Sequence, residues 1–359
     1  MLNRVVVFTN YVWFVDNVGY LLLIVSFLLY VYKRNIKSIL IQSVIFAILF
    51  ISSHVSKENE LFIVFLLIVA FQGMNLRTLI KYDLALKLLF VIIVVTLYFL
   101  NLTDNYYLIR SDGQIRSSMG FVHPNTFGAY LLSICLAIYY LNFKKIGILY
   151  YIFVILIAFI IHYFADSRTS TNALILLCIM HIIYKVTSGK IFNNRIIKWY
   201  LINSFIIFSL VSILLGYSYR FGSTQIQYLD KLFNERIFLL NYFLEKYTIT
   251  PFGNEIPLIL TRELEFTGVR YLQYLDNGFM LLLLRYGLLI FIIAAIFYNK
   301  AIKYLFEIKA YNLIIIFFIF LVTGLFEAYF YNIIFNTYIL IFSQLITRQA
   351  SANLTGEPT

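Results

Sequence analysis

Four polar features stand out in a chain that is otherwise strongly apolar. The first is Gly120-Phe121-Val122-His123-Pro124-Asn125-Thr126-Phe127-Gly128. Proline suits the first turn of a helix, where its missing N–H would be unpaired anyway. Asn125 and Thr126 either cap that helix or contact a ligand. The second is Asp166-Ser167-Arg168-Thr169-Ser170-Thr171-Asn172. Hydroxyls and Asn are N-cap chemistry, but a cation such as Arg168 beside a helix N-terminus opposes the macrodipole. The arrangement makes sense if an anion sits there, held by the arginine and the free N–H groups; a salt bridge to Asp166 is the alternative. The third is Leu275-Asp276-Asn277-Gly278, where Asp276 is either an N-cap or a general base. The fourth is Arg236, on the same stripe as Leu229, Leu232, Phe233, Leu240 and Phe243, the spacing of one amphipathic helix from Gln225 to Tyr247. A guanidinium on such a face either snorkels to water or meets an anion, and its planar fork matches phosphate and carboxylate.

Other residues carry weaker signals. Arg110 and Arg116 either bind phosphate or pair with Asp104 and Asp112, and Arg220, Arg262 and Arg270 share that ambiguity. His162 and Glu327 are candidates for acid–base work because ionisable groups at membrane depth are functional candidates. The two cysteines, Cys135 and Cys178, fall inside apolar runs as small core residues and form no zinc or disulfide pattern. There is no Asp-x-Asp pair, P-loop or His-Glu-x-x-His segment. No metal or other cofactor is therefore expected, and arginines must supply the cationic stabilisation that any diphosphate chemistry needs.

The elements that position these residues are membrane helices. The chain of 359 residues is 62% hydrophobic and 13% charged, with a mean hydropathy of +0.86. A spanning helix needs about 20 apolar residues. Such runs lie near 18–32, 36–53, 61–79, 84–101, 121–141, 146–164, 171–187, 196–216 and 275–298. The run 311–346 is too long for one helix and breaks at Glu327, which makes eleven spans. No signal peptide with a small-residue cleavage site is visible. The fold class expected is all-α, one polytopic membrane domain over 1–359 with ten or eleven spans. Residues 217–274 form a single large insertion between the eighth and ninth spans. No internal repeat is evident.

The basic residues are sorted by type. Fifteen of the 28 fall in alternate short loops, and twelve of those are lysines, Lys87 among them. Eleven fall in the other loops and before the first run, and eight of those are arginines. Lysine-rich loops mark the cytoplasmic side, which accounts for most of the net charge of +11 without nucleic acid as a partner. The arginine-rich side is then the outer one. All three polar clusters open inward-running helices there, with their positive dipole ends facing out.

Taken together, Gly-x-x-His-Pro-Asn-x-x-Gly at 120–128 resembles the segment of bacterial polysaccharide polymerases of the O-antigen polymerase/ligase superfamily, especially those of Gram-positive capsule and exopolysaccharide clusters. Ser167-Arg168-Thr169 resembles that family's Ser-Arg motif. Arg236 followed by Pro251-Phe252-Gly253 is similar to its large-loop arginine and Phe-Gly turn. Asp276-Asn277 and Glu327 with Asn332 or Asn336 fit in the same order. The resemblance covers roughly 105–340. It implies a multi-pass protein of the bacterial cell membrane with an outward-facing site for polyprenyl-diphosphate-linked oligosaccharide, and it leaves room for a partner that regulates chain length. Arg168 and Arg236, joined by Arg116 and Arg110, would bind the diphosphate. Asp276 would act as base, with Glu327 or His162 as alternatives. His123, Asn125 and Asn277 would contact substrate. Ligases of the superfamily usually carry His at the position of Asp276, so the resemblance leans to a polymerase. A ligase-like transferase and, from another class, a flippase of lipid-linked saccharide are the rivals.

Overall fold

The computed structural model describes residues 36–103, 107–109, 113–233, 235–257 and 275–347. Arg110, the expected span 18–32 and the end of the large insertion lie outside them. The described chain is mostly helical. Its helices are α1 (Ile36–Ser56), α2 (Glu60–Ala70), α3 (Leu76–Phe99), α4 (Pro124–Asn142), α5 (Ile148–Ile160), α6 (Arg168–Val186), α7 (Arg195–Ile202), α8 (Ser204–Ser218), α9 (Thr224–Leu232), α10 (Arg236–Lys246), α11 (Gly278–Leu281), α12 (Leu288–Glu307), α13 (Tyr311–Thr323) and α14 (Phe342–Thr347). This agrees with the all-α class expected; beside the helices lies a short antiparallel hairpin, β1 (Tyr107–Ile109) with β2 (Ile115–Ser117), in which Leu108 faces Arg116.

Among the described residues, seven helices are long and apolar enough to cross a bilayer: Ile39–Ser56, Leu76–Phe99, Pro124–Lys145, Ile148–Ala165, Arg168–Val186, Ser204–Phe221 and Leu288–Glu307. Several of the ten or eleven expected runs depart from single long helices among the described residues, and these departures have local causes. The run 61–79 ends as an eleven-residue helix, about 16 Å long by helical rise. Gly73 turns the chain there with φ +84°, and the Asn75 side chain accepts from the N–H groups of Arg77 and Thr78, capping a new helix. That restart carries Lys87 out of its expected loop and into the middle of α3. Lys87 is buried there against Asp83 (2.7 Å), Ser133 (2.7 Å) and Thr337 (3.2 Å). The run 196–216 is split at Asn203, and 311–346 becomes α13, an irregular segment with two short 3-10 turns, and α14.

The run 275–298 breaks at Gly287, and the large insertion fills the break. Gly287 (φ +95°) and Gly253 (φ +91°) meet backbone to backbone. A Cβ on Gly253 would lie 1.9 Å from the Arg285 carbonyl oxygen, and one on Gly287 would lie 2.3 Å from the Gly253 nitrogen. The segment 250–254 then satisfies the exposed helix ends. Leu288 N donates to Thr250 O (2.9 Å), Leu289 N to Pro251 O (3.1 Å), Asn254 N to Arg285 O (3.2 Å), and the Asn254 amide to Leu284 O (2.8 Å). In an apolar solvent, broken helix backbone survives only when protein groups replace the lost hydrogen bonds.

The two ends of the bundle differ in chemistry. α4 and α6 begin at the His123 and Arg168 clusters and finish at an end rich in lysine. There Arg77 donates to the Leu141 carbonyl (2.8 Å), Lys185 to the Ile146 carbonyl, and Lys198 lies over the Phe306 ring. Gly128 brings α4 against the start of α6, since a Cβ there would be 2.7 Å from the Ser167 Cβ.

Two glycine variants test the plugged break. Gly222 has φ +60° with nothing within 4 Å of its would-be Cβ, so Gly222→Ala costs only the left-handed conformation, ~1–2 kcal/mol. Gly253→Ala adds a backbone collision and should melt at a clearly lower temperature in detergent. Equal melting of the two variants would show that the insertion does not plug the break.

Candidate functional site

Five of the residues singled out in sequence form one hydrogen-bonded chain at the arginine-rich end. Arg116, on β2, donates through Nε to the Ala165 carbonyl (2.8 Å) and through its terminal nitrogen to the Asn125 side-chain oxygen. The Asn125 amide donates to Glu327 Oε1 (2.7 Å). Arg236 shares one terminal nitrogen between Glu327 Oε1 and Asp276 Oδ2, each at 3.2 Å, and gives the other to the Phe326 carbonyl. Thus residues separated by up to 211 positions converge on a single guanidinium–dicarboxylate core.

Local structure explains each placement. The expected single helix over 225–247 is two helices, because Asp230 turns its carboxylate onto the N–H groups of Ile237 (2.8 Å) and Phe238 (2.9 Å). The anion caps a fresh N-terminus, Glu235 adopts φ +63°, and Arg236 becomes the first residue of α10. Glu327 is extended (φ −152°, ψ 154°) just past the end of α13. Of the two roles open to Asp276, the N-cap is taken by its neighbour. Asn277, not Asp276, caps α11 by accepting from Met280 N (2.9 Å), which leaves Asp276 to face Arg236.

A cavity of about 420 Å³ lies on this core. Arg116, Arg168, Arg236, Asn125 and Glu327 line its polar side, with Thr169, Asn172 and Thr323. Ala173, Leu176, Leu232, Phe233, Val322 and Phe326 line the rest. Arg168 is the first residue of α6, is about half exposed, and lies 3.7 Å from the buried Asp166. Three cationic forks beside one carboxylate suit an anion with several oxygens, and the apolar wall suits a hydrocarbon attached to it.

The other expected residues do not line this cavity. His123 caps α4, its Nδ1 accepting from Asn125 N (3.1 Å). Asn277 is spent on structure: besides its cap, it donates to Ser212 Oγ (2.9 Å) and the Leu325 carbonyl (3.0 Å). His162 is more than half exposed and pairs with Asp166 (3.5 Å). Arg110 lies outside the described residues. Sequence reasoning missed Asp230, the Phe326 carbonyl and Tyr329, whose hydroxyl donates to the Asn125 carbonyl (3.1 Å). An acidic residue six positions before the arginine was the available signal for Asp230; a main-chain carbonyl leaves none.

The electrostatics follow from burial. Glu327 is held above the usual carboxylate range, first by burial and then by Asp276, with Arg236 opposing. Burial, then Arg116 and Arg236, lowers His123 to about 4, so its imidazole is neutral and can accept at Nδ1. A second cluster joins Arg285 to Glu58 and to the Ile256 carbonyl (3.2 Å). Beside it, burial and Glu58 push Glu60 up to about 7. Among the described residues no group of His, Cys, Asp and Glu has the makings of a metal site.

Comparison with family models, curated proteins and solved structures gives no match for this chain.

The shifted groups predict opposite pH limbs. His123 contributes stability that is complete above its ordinary value of 6.5 and is lost as pH falls toward about 4. Glu327, shifted upward, contributes stability that is complete below its ordinary 4.5 and is lost as pH rises through its raised value. Melting temperatures followed from pH 4.5 to 8 should lose part of the acid limb in His123→Gln, worth up to about 3 kcal/mol. Glu327→Gln should lose part of the alkaline limb. Variants whose limbs both match the parent protein would rule out these buried states.

Proposed function

We propose that this protein is a membrane glycosyltransferase that polymerises polyprenyl-diphosphate-linked oligosaccharide repeat units at the outer face of a bacterial cytoplasmic membrane. The observation that carries the reading is the cavity itself: three arginines and a buried carboxylate on one side, an apolar wall on the other. A lipid-linked diphosphate has that polarity, with an anionic centre between a hydrocarbon chain and a sugar. The clustered motifs and the lysine-to-arginine sorting of the two ends support the same reading.

In this mechanism Arg168, Arg236 and Arg116 hold the donor diphosphate. The acceptor sugar hydroxyl attacks the anomeric carbon of the donor chain. The new C–O bond forms as the bond to the diphosphate breaks, and the diphosphate leaves with its electron pair. Arginines preorganised in a site that excludes water stabilise that developing charge strongly. The hydroxyl proton passes to Glu327, which faces the cavity and is tuned upward by burial toward the range where a base works best. Asp276 keeps Arg236 in place and raises Glu327. This gives Glu327 the role that the resemblance assigns to Asp276.

The test is chain extension in proteoliposomes supplied with lipid-linked repeats already on the accessible leaflet. Arg168→Lys and Arg236→Lys keep the charge but lose the fork, and each should slow extension by about 10²-fold. Glu327→Gln should abolish it, while Asp276→Asn should retain measurable turnover. Normal chain length in both lysine variants would remove the arginine roles. Absence of extension by the parent protein would remove the transferase reading.

A further inference from the structure

Two residues of the segment after α13 reach the same residue of α4. Glu327 takes the Asn125 side-chain amide (2.7 Å), and Tyr329 gives its hydroxyl to the Asn125 main-chain carbonyl (3.1 Å). Asn125 is therefore gripped at both its side chain and its backbone by residues two positions apart. Tyr329 is buried, its ring packs on Phe335 with centroids 5.1 Å apart, and Ser170 of α6 lies within hydrogen-bonding reach of its hydroxyl. Burial first, then Glu327 and Asp276, keeps that hydroxyl protonated and hence a donor. It does not line the cavity, so it touches no substrate there.

We propose that Tyr329 is a positioning residue: its hydroxyl fixes Asn125 so that the Asn125 side chain is aimed at Glu327 and Arg116 together. Asn125 has one carbonyl oxygen and one NH2 group to offer. In the observed orientation the oxygen faces the cation and the NH2 group faces the carboxylate. Rotation about the side chain or a shift of the first turn of α4 would break both contacts. Tyr329 prevents that shift by tying the first turn to the strand-like backbone that carries Glu327. An N–H donor on a carboxylate favours its charged form. Loss of the tether should therefore make Glu327 harder to ionise without altering the ring packing of residue 329.

The kinetic consequence rests on the transferase reading above; the protonation state of Glu327 does not. The experiment follows the carboxylic-acid C=O stretch of the purified full-length protein by infrared difference spectroscopy across pH, with Glu327→Gln used to assign the band. Tyr329→Phe should move the Glu327 midpoint upward by about one pH unit, the scale of one hydrogen bond to a charged group. Asn125→Ala should move it similarly, and the double variant should add little, because both act through one contact. In the extension assay Tyr329→Phe should lower kcat about tenfold and shift its acidic limb to higher pH, with KM for the lipid-linked donor nearly unchanged. A parent-like midpoint in Tyr329→Phe, or additive shifts in the double variant, would overturn the positioning role. The infrared shift without extension by the parent protein would sink the transferase reading and leave the role of Tyr329 standing. Extension with an unmoved midpoint would do the reverse.

Discussion

The structure turns on a single guanidinium. Arg236 binds the Phe326 carbonyl, Glu327 and Asp276, and so joins the large insertion, the break after α13 and the entry to α11. None of the three acceptors is sheltered by helix geometry: one is a main-chain oxygen at a helix end and two are carboxylates in a largely apolar surrounding. Removing one partner of such a group leaves the others charged and unpaired, a loss of ~3–5 kcal/mol. The cation is thus both the staple of the site and part of the cavity wall. Whatever anion enters the cavity competes with Glu327 and Asp276 for it.

The same logic extends to the backbone. Helices are interrupted at Gly73, Asn203, Gly287 and the 324–336 segment; local caps serve at Gly73, whereas Gly287 and the 324–336 segment take partners from elsewhere in the chain. Gly278 N donates to Gly324 O (2.9 Å), and Asn336 and Tyr298 both donate to the Phe330 carbonyl (2.7 and 2.6 Å). Phe279 stacks on Phe330 behind them, with centroids 4.7 Å apart. The cost of unpaired backbone in an apolar medium is met by packing two broken segments against each other. That packing places Asp276 and Glu327, which lie at the starts of those segments, on the same side of Arg236.

The sequence was informative about residues and less so about continuity. Arg116, Asn125, Arg168, Arg236, Asp276 and Glu327 could each be singled out because polar side chains in apolar runs are costly. All six do meet around one cavity or its core. His162 and Asn277 stood out for the same reason, yet one pairs at the surface and the other holds helix ends together. Apolar periodicity does not separate a helix that crosses a bilayer from one that stops halfway and restarts. Hence 61–79 and 275–298 read as unbroken runs, although the turn at Gly73 in one and Gly287 in the other interrupt the helix. The amphipathic stripe over 225–247 likewise hid a second N-terminus, because the group that caps it, Asp230, reads as an ordinary surface acid.

By itself, then, the sequence determined a helical membrane chain, with lysine gathered at one end and arginine at the other. Both follow from composition and spacing alone, since transfer free energy and charge act residue by residue. Only the tertiary structure decided which acid faces the cavity, which asparagine caps and which one relays, and that a loop turn completes a broken helix. Those outcomes depend on distances of about 3 Å between groups far apart in the chain, and no local pattern encodes them. Arg236 shows the division. Its place on an apolar stripe announced a buried cation needing a partner, and the fold supplied three.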